Sequence, residues 1–302
     1  PIASEKEEGY LGTFDGRFHA IRNLTIDYPK KYVGLFGYVG NENDQAYVKN
    51  VAMLDCEIRG QQNVGGIAGV TYGTITGCVV TGHVWVDDLS NSHTSGGIGG
   101  KVKEGEGPII GHVENCYVNA KLEAPYDVGG IAGIQDGGGY VGNSFAAGSV
   151  NAYGENGSAG GIAGSFNAGD HIVGCVSAQA SISGTKNVDK IVGQLDDEAA
   201  TNISGNIAWE GLGWDFDKVW TWSDTLQQPI LQGYDPAIFE ALDFTVDGPR
   251  VISRAINEVD QNAKVTLTAR VAGVDAVESA VLHYGYDSVD AELPMTISGT
   301  TC

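Results

Sequence analysis

The phrase Val64-Gly65-Gly66-Ile67-Ala68-Gly69 returns through most of the chain, and that recurrence limits the fold more than any other feature. Altered copies are Val33-Gly34-Leu35-Phe36-Gly37, Gly96-Gly97-Ile98-Gly99-Gly100, Val128-Gly129-Gly130-Ile131-Ala132-Gly133, Gly160-Gly161-Ile162-Ala163-Gly164 and the eroded Lys190-Ile191-Val192-Gly193. The apolar marker at 35, 67, 98, 131, 162 and 191 recurs at intervals of 32, 31, 33, 31 and 29 residues. A second marker keeps phase with it: Asn23, Asn50, Gly77, Asn115, Asn143, Gly174 and Gly205, each two residues after a β-branched one. Short Val/Ile/Thr-rich runs with Gly between them and no helical period are what stacked β rungs require, because one rung cannot bury its apolar face alone.

Alternation places Ile67 on one face with Gly65 and Gly69. The Ile copies can then stack on one another while the glycines admit a neighbouring strand and allow positive φ at rung corners. The Asn copies of the second marker are placed to bond side chain to side chain along the stack. Cys78, Cys116 and Cys175 share one repeat position, where parallel Cβ vectors disfavour a disulfide, and they read as small buried groups. Cys56 and Cys302 have no evident mates, so cysteine count does not decide the compartment.

The fold class expected is all-β: a β-solenoid of about 30-residue Gly-rich repeats over residues 11–232, followed by a small β-sandwich over 242–302. Residues 1–10, with Ser4-Glu5-Lys6-Glu7-Glu8, read as a disordered lead-in. Val251–Ile256, Lys264–Val271, Ser279–Tyr286 and Met295–Ser298 alternate as antiparallel strands should, but four strands leave a sandwich half open, and the natural chain is expected to continue beyond Cys302. The Trp-rich run from Trp209 to Trp222 is placed to plug the open end of the stack.

Seventeen Lys plus Arg against 38 Asp plus Glu give a formal charge of −21, which repels polyphosphate and argues against nucleic acid. No apolar run approaches the roughly 18 residues that span a bilayer. The six histidines show no zinc-peptidase spacing, and His171 with Cys175 is poorly spaced for a metal on a strand. Gly137-Gly138-Gly139-Tyr140-Val141-Gly142 matches the dinucleotide fingerprint only formally, since no helix follows it. Acidic pairs such as Asp87-Asp88 read as solvated surface charge. No cofactor and no catalytic residue is assigned, and the chain is expected to be a monomer.

Ligand-binding candidates come from the repeat interval that carries extra residues. Its excursions, Asp87 to Ser95 and Lys101 to His112, put Asp87, Asp88, His93, Lys101 and Lys103 first, with Trp214 and Trp222 second as aromatic platforms.

The repeated phrases, each leading into an Asn-Cys or Gly-Cys strand, closely resemble the GLUG motif of bacterial surface proteins over about residues 12–232. The last strands resemble immunoglobulin or fibronectin type III modules. The resemblance implies export to a bacterial cell surface and a non-enzymatic role as adhesin or display stalk, with an unknown surface glycan or protein as partner. An export signal would lie outside this chain. Polysaccharide-cleaving solenoid enzymes are the alternative, though few basic residues accompany the carboxylates.

Overall fold

The computed structural model describes residues 1–5, 9–86, 93–167, 169–195, 203–206, 213–226 and 228–240, with four short strands between Arg250 and Pro294. The chain winds into a parallel β-solenoid of about six turns. The fourth turn shows the plan: a short first strand, His112–Glu114; a long second strand, Tyr117–Ala124; a third, Asp127–Gly129; and a fourth, Ala132–Asp136. Third and fourth strands stack into two six-stranded sheets, and first and second strands form one eleven-stranded sheet, continuous where Tyr47–Gly60 and His171–Gly184 run through the corner.

The Ile marker sets the register. Phe36, Ala68, Gly99, Ala132, Ala163 and Val192 pair in succession, which aligns the preceding Leu35, Ile67, Ile98, Ile131, Ile162 and Ile191. The middle four are fully buried, each contributing roughly 1.5–3 kcal/mol. Beside them the glycines serve close approach rather than unusual φ: a Cβ on Gly66 would lie 2.5 Å from Gly97 O.

The second marker has a different cause from the one expected. Asn50, Gly77, Asn115, Asn143 and Gly174 all sit at the corner between first and second strands with φ of 45–63°, the left-handed region that Asn and Gly tolerate. Backbone conformation, not an amide ladder, selects them; the Asn50 amide donates to Asp15 Oδ1 (3.3 Å). Asn23 is out of this series, because Arg22 pairs with Leu54 and Thr25 with Glu57, which sets it opposite Asp55.

Residues 1–10, expected to be disordered, pair with the first turn where described. Ile2 N donates to Leu35 O (2.9 Å), Tyr38 N to Ala3 O (3.0 Å) and Tyr10 N to Tyr38 O (3.1 Å). They cover the outer edge of Phe36–Val39, which would otherwise offer unpaired backbone groups.

The Trp-rich segment does not plug the end of the stack. It runs along the flank, over the outward ladder Ala52, Val79, Tyr117, Phe145 and Val176, and forms with it a second core containing Trp214, Trp220, Ile230, Leu231, Tyr234 and Phe239. Trp214 Nε1 donates to Gly174 O (2.6 Å) in the sixth turn, Gln228 Nε2 to Tyr117 Oη (2.8 Å) in the fourth, and Tyr234 Oη to Gly77 O (2.7 Å) in the third. The reason is area: an apolar ladder along the whole stack exposes more surface than one terminal rung, so covering it gains more. One helical turn, Ala237–Glu240, ends this strap.

Cys56, Cys78, Cys116 and Cys175 are buried free thiols. Cys116 Sγ donates to Glu114 O (3.2 Å), and Ser144 fills the same rung position with its hydroxyl on Gly142 O (2.7 Å). Beyond the strap, Arg250–Ile252 pairs antiparallel with Arg270–Ala272 and Val281–Tyr286 with Val289–Pro294. Met295–Ser298, Cys302 and the rest of the expected sandwich lie outside the described residues.

Candidate functional site

On each first strand the middle residue points inward: Val48, Ile75, Val113, Val141 and Ile172 are buried. Its neighbours therefore face out and stack across the turns, in the order Tyr47, Thr74, His112, Tyr140, His171 and in parallel Lys49, Thr76, Glu114, Gly142, Val173. The corners between fourth and first strands rise beside this ladder and enclose a groove of about 580 Å³. Glu104, Pro108 and Ile110 line it from one corner, Gly137, Gly138 and Gly169 from others, with Gln45 at the second-turn side.

The groove floor is aromatic and ordered. The His112 and Tyr140 rings lie 4.2 Å apart, and Tyr47, on the same ladder but outside the groove lining, is 45% exposed. A Cβ on Gly142 would come within 2.5 Å of Tyr140 Oη, so it is the missing side chain that lets the ring lie along the strand. His112 Nε2 lies 3.4 Å from Glu114 Oε2 and holds that carboxyl below its usual range against the opposing effect of burial.

The glycine wall is fixed from beneath. Asp170, fully buried, accepts hydrogen bonds from Gly138 N, Gly139 N and Asn167 N, each 2.8 Å. Burial pushes it up to about 6 despite those donors. Gln135, also buried, donates to Gly139 O (2.9 Å) and His171 O (3.1 Å), tying wall to floor.

A second polar cluster lies on the outer face of the second strands. Glu57, His83 and Lys121 stack in register, as do Arg59, Trp85 and Glu123. His83 Nε2 is 2.8 Å from Glu123 Oε2, its Nδ1 is 3.7 Å from Glu57 Oε2, and its ring stacks on Trp85 at 4.1 Å. Burial lowers the His83 pKa against the pull of Glu123, while hydrogen bonds from Lys121, Asn151 and His83 outweigh burial to lower that of Glu123. Basic groups do therefore accompany carboxylates, contrary to the sequence reading, because register joins residues from three turns.

The candidates read from the sequence are dispersed. Asp87 and Asp88 lie outside the described residues. His93 is buried, its carbonyl accepting from Tyr126 N (3.2 Å). Lys101 and Lys103 belong to the strand Gly99–Lys103, not a loop: Lys101 pairs with Asp136 (2.7 Å), and Lys103 lies over the Tyr72 ring at 5.9 Å. Trp214 is 7% exposed and stacked on Trp220 at 4.3 Å, so it offers no free face, and Trp222 packs against the same strap core. The excursion narrows to 104–111, which carries Glu104, Pro108 and Ile110 to the groove. His171 and Cys175 are separated by burial, one exposed and the other in the core. Among the described residues no three His, Cys, Asp or Glu side chains gather as metal ligands, and no helix is long and apolar enough to cross a membrane.

No protein-family profile matches the chain. A stretch of 102 residues, 34% of the chain, is 29% identical to Halomucin of Haloquadratum walsbyi, and the chain spans about 1% of that protein's length. The fold is similar to the crystal structure of a Bacteroides ovatus protein provisionally named an immunoglobulin A1 protease, with a TM-score of 0.55 and 23% identity over 74% of this chain and 77% of that one. Identity at that level establishes a shared fold alone.

Proposed function

We propose that this chain is part of a non-enzymatic bacterial cell-surface protein, an adhesin or display stalk of the GLUG-motif kind, carrying an immunoglobulin-like module after its solenoid. The observation that carries this reading is the groove: residues from five turns fall into one outward ladder beside a concave wall, as a surface that holds an extended ligand would require. The local likeness to Halomucin fits a surface setting.

The enzymatic alternative has one specific observation in its favour, the pair Glu57 and Glu123 on turns two apart. Two rungs and a two-residue offset set their backbones ~12 Å apart, but both carboxylates reach the same imidazole, which brings them toward the ~6.5–9.5 Å between carboxyls of an inverting glycosidase. His83 sits between them, however, where the attacking water and sugar would have to go. That geometry favours an ion-pair network that orders the sheet surface.

Turnover separates the readings. The protein is incubated with neutral and acidic polysaccharides and with immunoglobulin A1, products are sought as reducing ends, unsaturated sugars or heavy-chain fragments, and the same panel is then used for binding. Saturable binding without products is the expected result. Cleavage of any member that Glu123→Gln or Glu114→Gln abolishes would overturn the non-enzymatic reading.

A further inference from the structure

We infer that the groove over the first strands binds a neutral linear glycan lying along the solenoid axis, with Tyr140 as the central stacking platform. This rests on the surface-binding reading above and assigns that reading a ligand class and a place.

The ladder dictates a ligand with a short repeat. Successive turns bring Tyr47, Thr74, His112, Tyr140 and His171 past one another at ~4.8 Å, so a polymer running with the axis meets a new side chain at each rung. Flat, partly apolar units suit such a floor. The Tyr140 ring lies over Gly142, and the His112 ring packs against it at 4.2 Å and a 43° tilt, so the two form one aromatic cluster in the groove lining. Pyranose rings offer the C–H faces that stack on such groups. Around them stand the Thr74 hydroxyl, the Gln45 amide, the Glu104 carboxylate and the His171 imidazole, a spaced set of donors and acceptors suited to sugar hydroxyls.

Charge narrows the class. Among the described residues the groove lining contains no Lys or Arg, and the chain carries −21, so a uronate or sulfated polymer would be repelled. A basic peptide would be attracted by Glu104 and Glu114, but Glu114 is already engaged by His112. Preorganisation supports a site rather than a dent in the surface: buried Asp170 and Gln135 fix the wall that the ligand would lean on.

The test uses the whole chain and neutral hexasaccharides built from glucose, mannose, xylose or galactose, read by calorimetry. At least one should bind. Tyr140→Ala should weaken it tenfold or more. Gly142→Ala should weaken it comparably while the melting temperature stays within a few degrees, since the added Cβ displaces a side-chain end from a backbone without positive φ. Tyr153→Ala, an exposed aromatic at the corner after the second strand, should leave the affinity unchanged. Imidazole and tyrosine ring shifts in the unaltered protein, followed by NMR during titration, should single out His112, His171 and Tyr140. Binding that survives both Tyr140→Ala and Gly142→Ala, with no movement of those rings, would overturn the assignment and leave the surface-binding reading standing. Failure of every neutral hexasaccharide, or selective binding of a uronate polymer or a basic peptide, would overturn it too. Products released from the bound hexasaccharide would instead overturn the non-enzymatic reading while keeping the site.

Discussion

The ring of Tyr234 meets the ring of Phe18 edge-on, centroids 5.2 Å apart at 88°, so a segment that follows the last turn closes on the first. Between that contact and the bond from Trp214 to Gly174 the strap ties nearly the whole stack together. Solenoids in which each turn touches only its neighbours unfold piecemeal; a strap joining distant turns should make unfolding more cooperative.

Two measurements test this. Trp220→Ala should cost ~3–5 kcal/mol, as removal of a fully buried Trp does. A double-mutant cycle on Phe18→Ala and Tyr234→Ala should return ~0.5–1.5 kcal/mol of coupling. A coupling of zero would mean that the strap does not reach the first turn in solution.

The Ile ladder predicts a gradient. Ile131→Asp buries an uncompensated charge between two covered turns and should unfold the solenoid, a cost of several kcal/mol. Ile191, only half-buried near the end of the ladder, should accept Asp at distinctly smaller cost. Thermal melts of the two variants check the order, and equal losses would contradict the register.

Asp127 carries the clearest pH dependence. It is 3% exposed, its Oδ1 has no hydrogen-bond partner among the described residues, and burial pushes it from an ordinary 3.8 up to about 7, with Lys186 the charge that opposes the shift. A raised folded pKa means stability present in full below pH 3.8 and lost as pH rises to about 7. Asp127→Asn should therefore stabilise the protein by up to ~4 kcal/mol at pH 8 and by almost nothing at pH 3.5. Denaturant titrations at both pH values measure it; a gain of equal size at each would point to packing instead of ionisation.

How far the sequence could be read follows from what each feature depends on. Leu35 to Ile191 recur at one spacing because each occupies the same place in its turn, so composition and period expose them together. Asn50 and Asn115 were visible for a similar reason, yet their cause was hidden: a left-handed corner and an amide ladder both favour Asn, and it is the substitution of Gly at 77 and 174 that distinguishes them. The strap shows how abundance misleads, since clustered Trp signals burial without saying whether an end or a flank is covered. Neither the groove nor the His83 cluster has a local signature. Tyr140 and His112 become neighbours only through a register 28 residues long, and Glu57, His83 and Glu123 only across three turns.

The groove wall yields the last prediction. A run of glycine from 137 to 139, with positive φ at Gly137 and Gly138, would be loose by composition, since glycine loses the most backbone entropy on ordering. Here three backbone amides converge on one carboxylate, the oxygens of Asp170 accepting from Gly138, Gly139 and Asn167. Asp170→Ala would leave those donors without their acceptor and should cost ~1–3 kcal/mol or more, the penalty for unsatisfied buried groups. The loss should also be local. Hydrogen exchange at Gly138, Gly139 and Asn167 should accelerate well before exchange at Ile131 and Ile162, whose amides lie in the ladder hydrogen bonds of the buried core. If the carboxylate instead holds the stack as a whole, all five amides will accelerate together. Asp170→Asn should be intermediate, because its carbonyl can still accept from the glycine amides while its NH₂ opposes the Asn167 N–H.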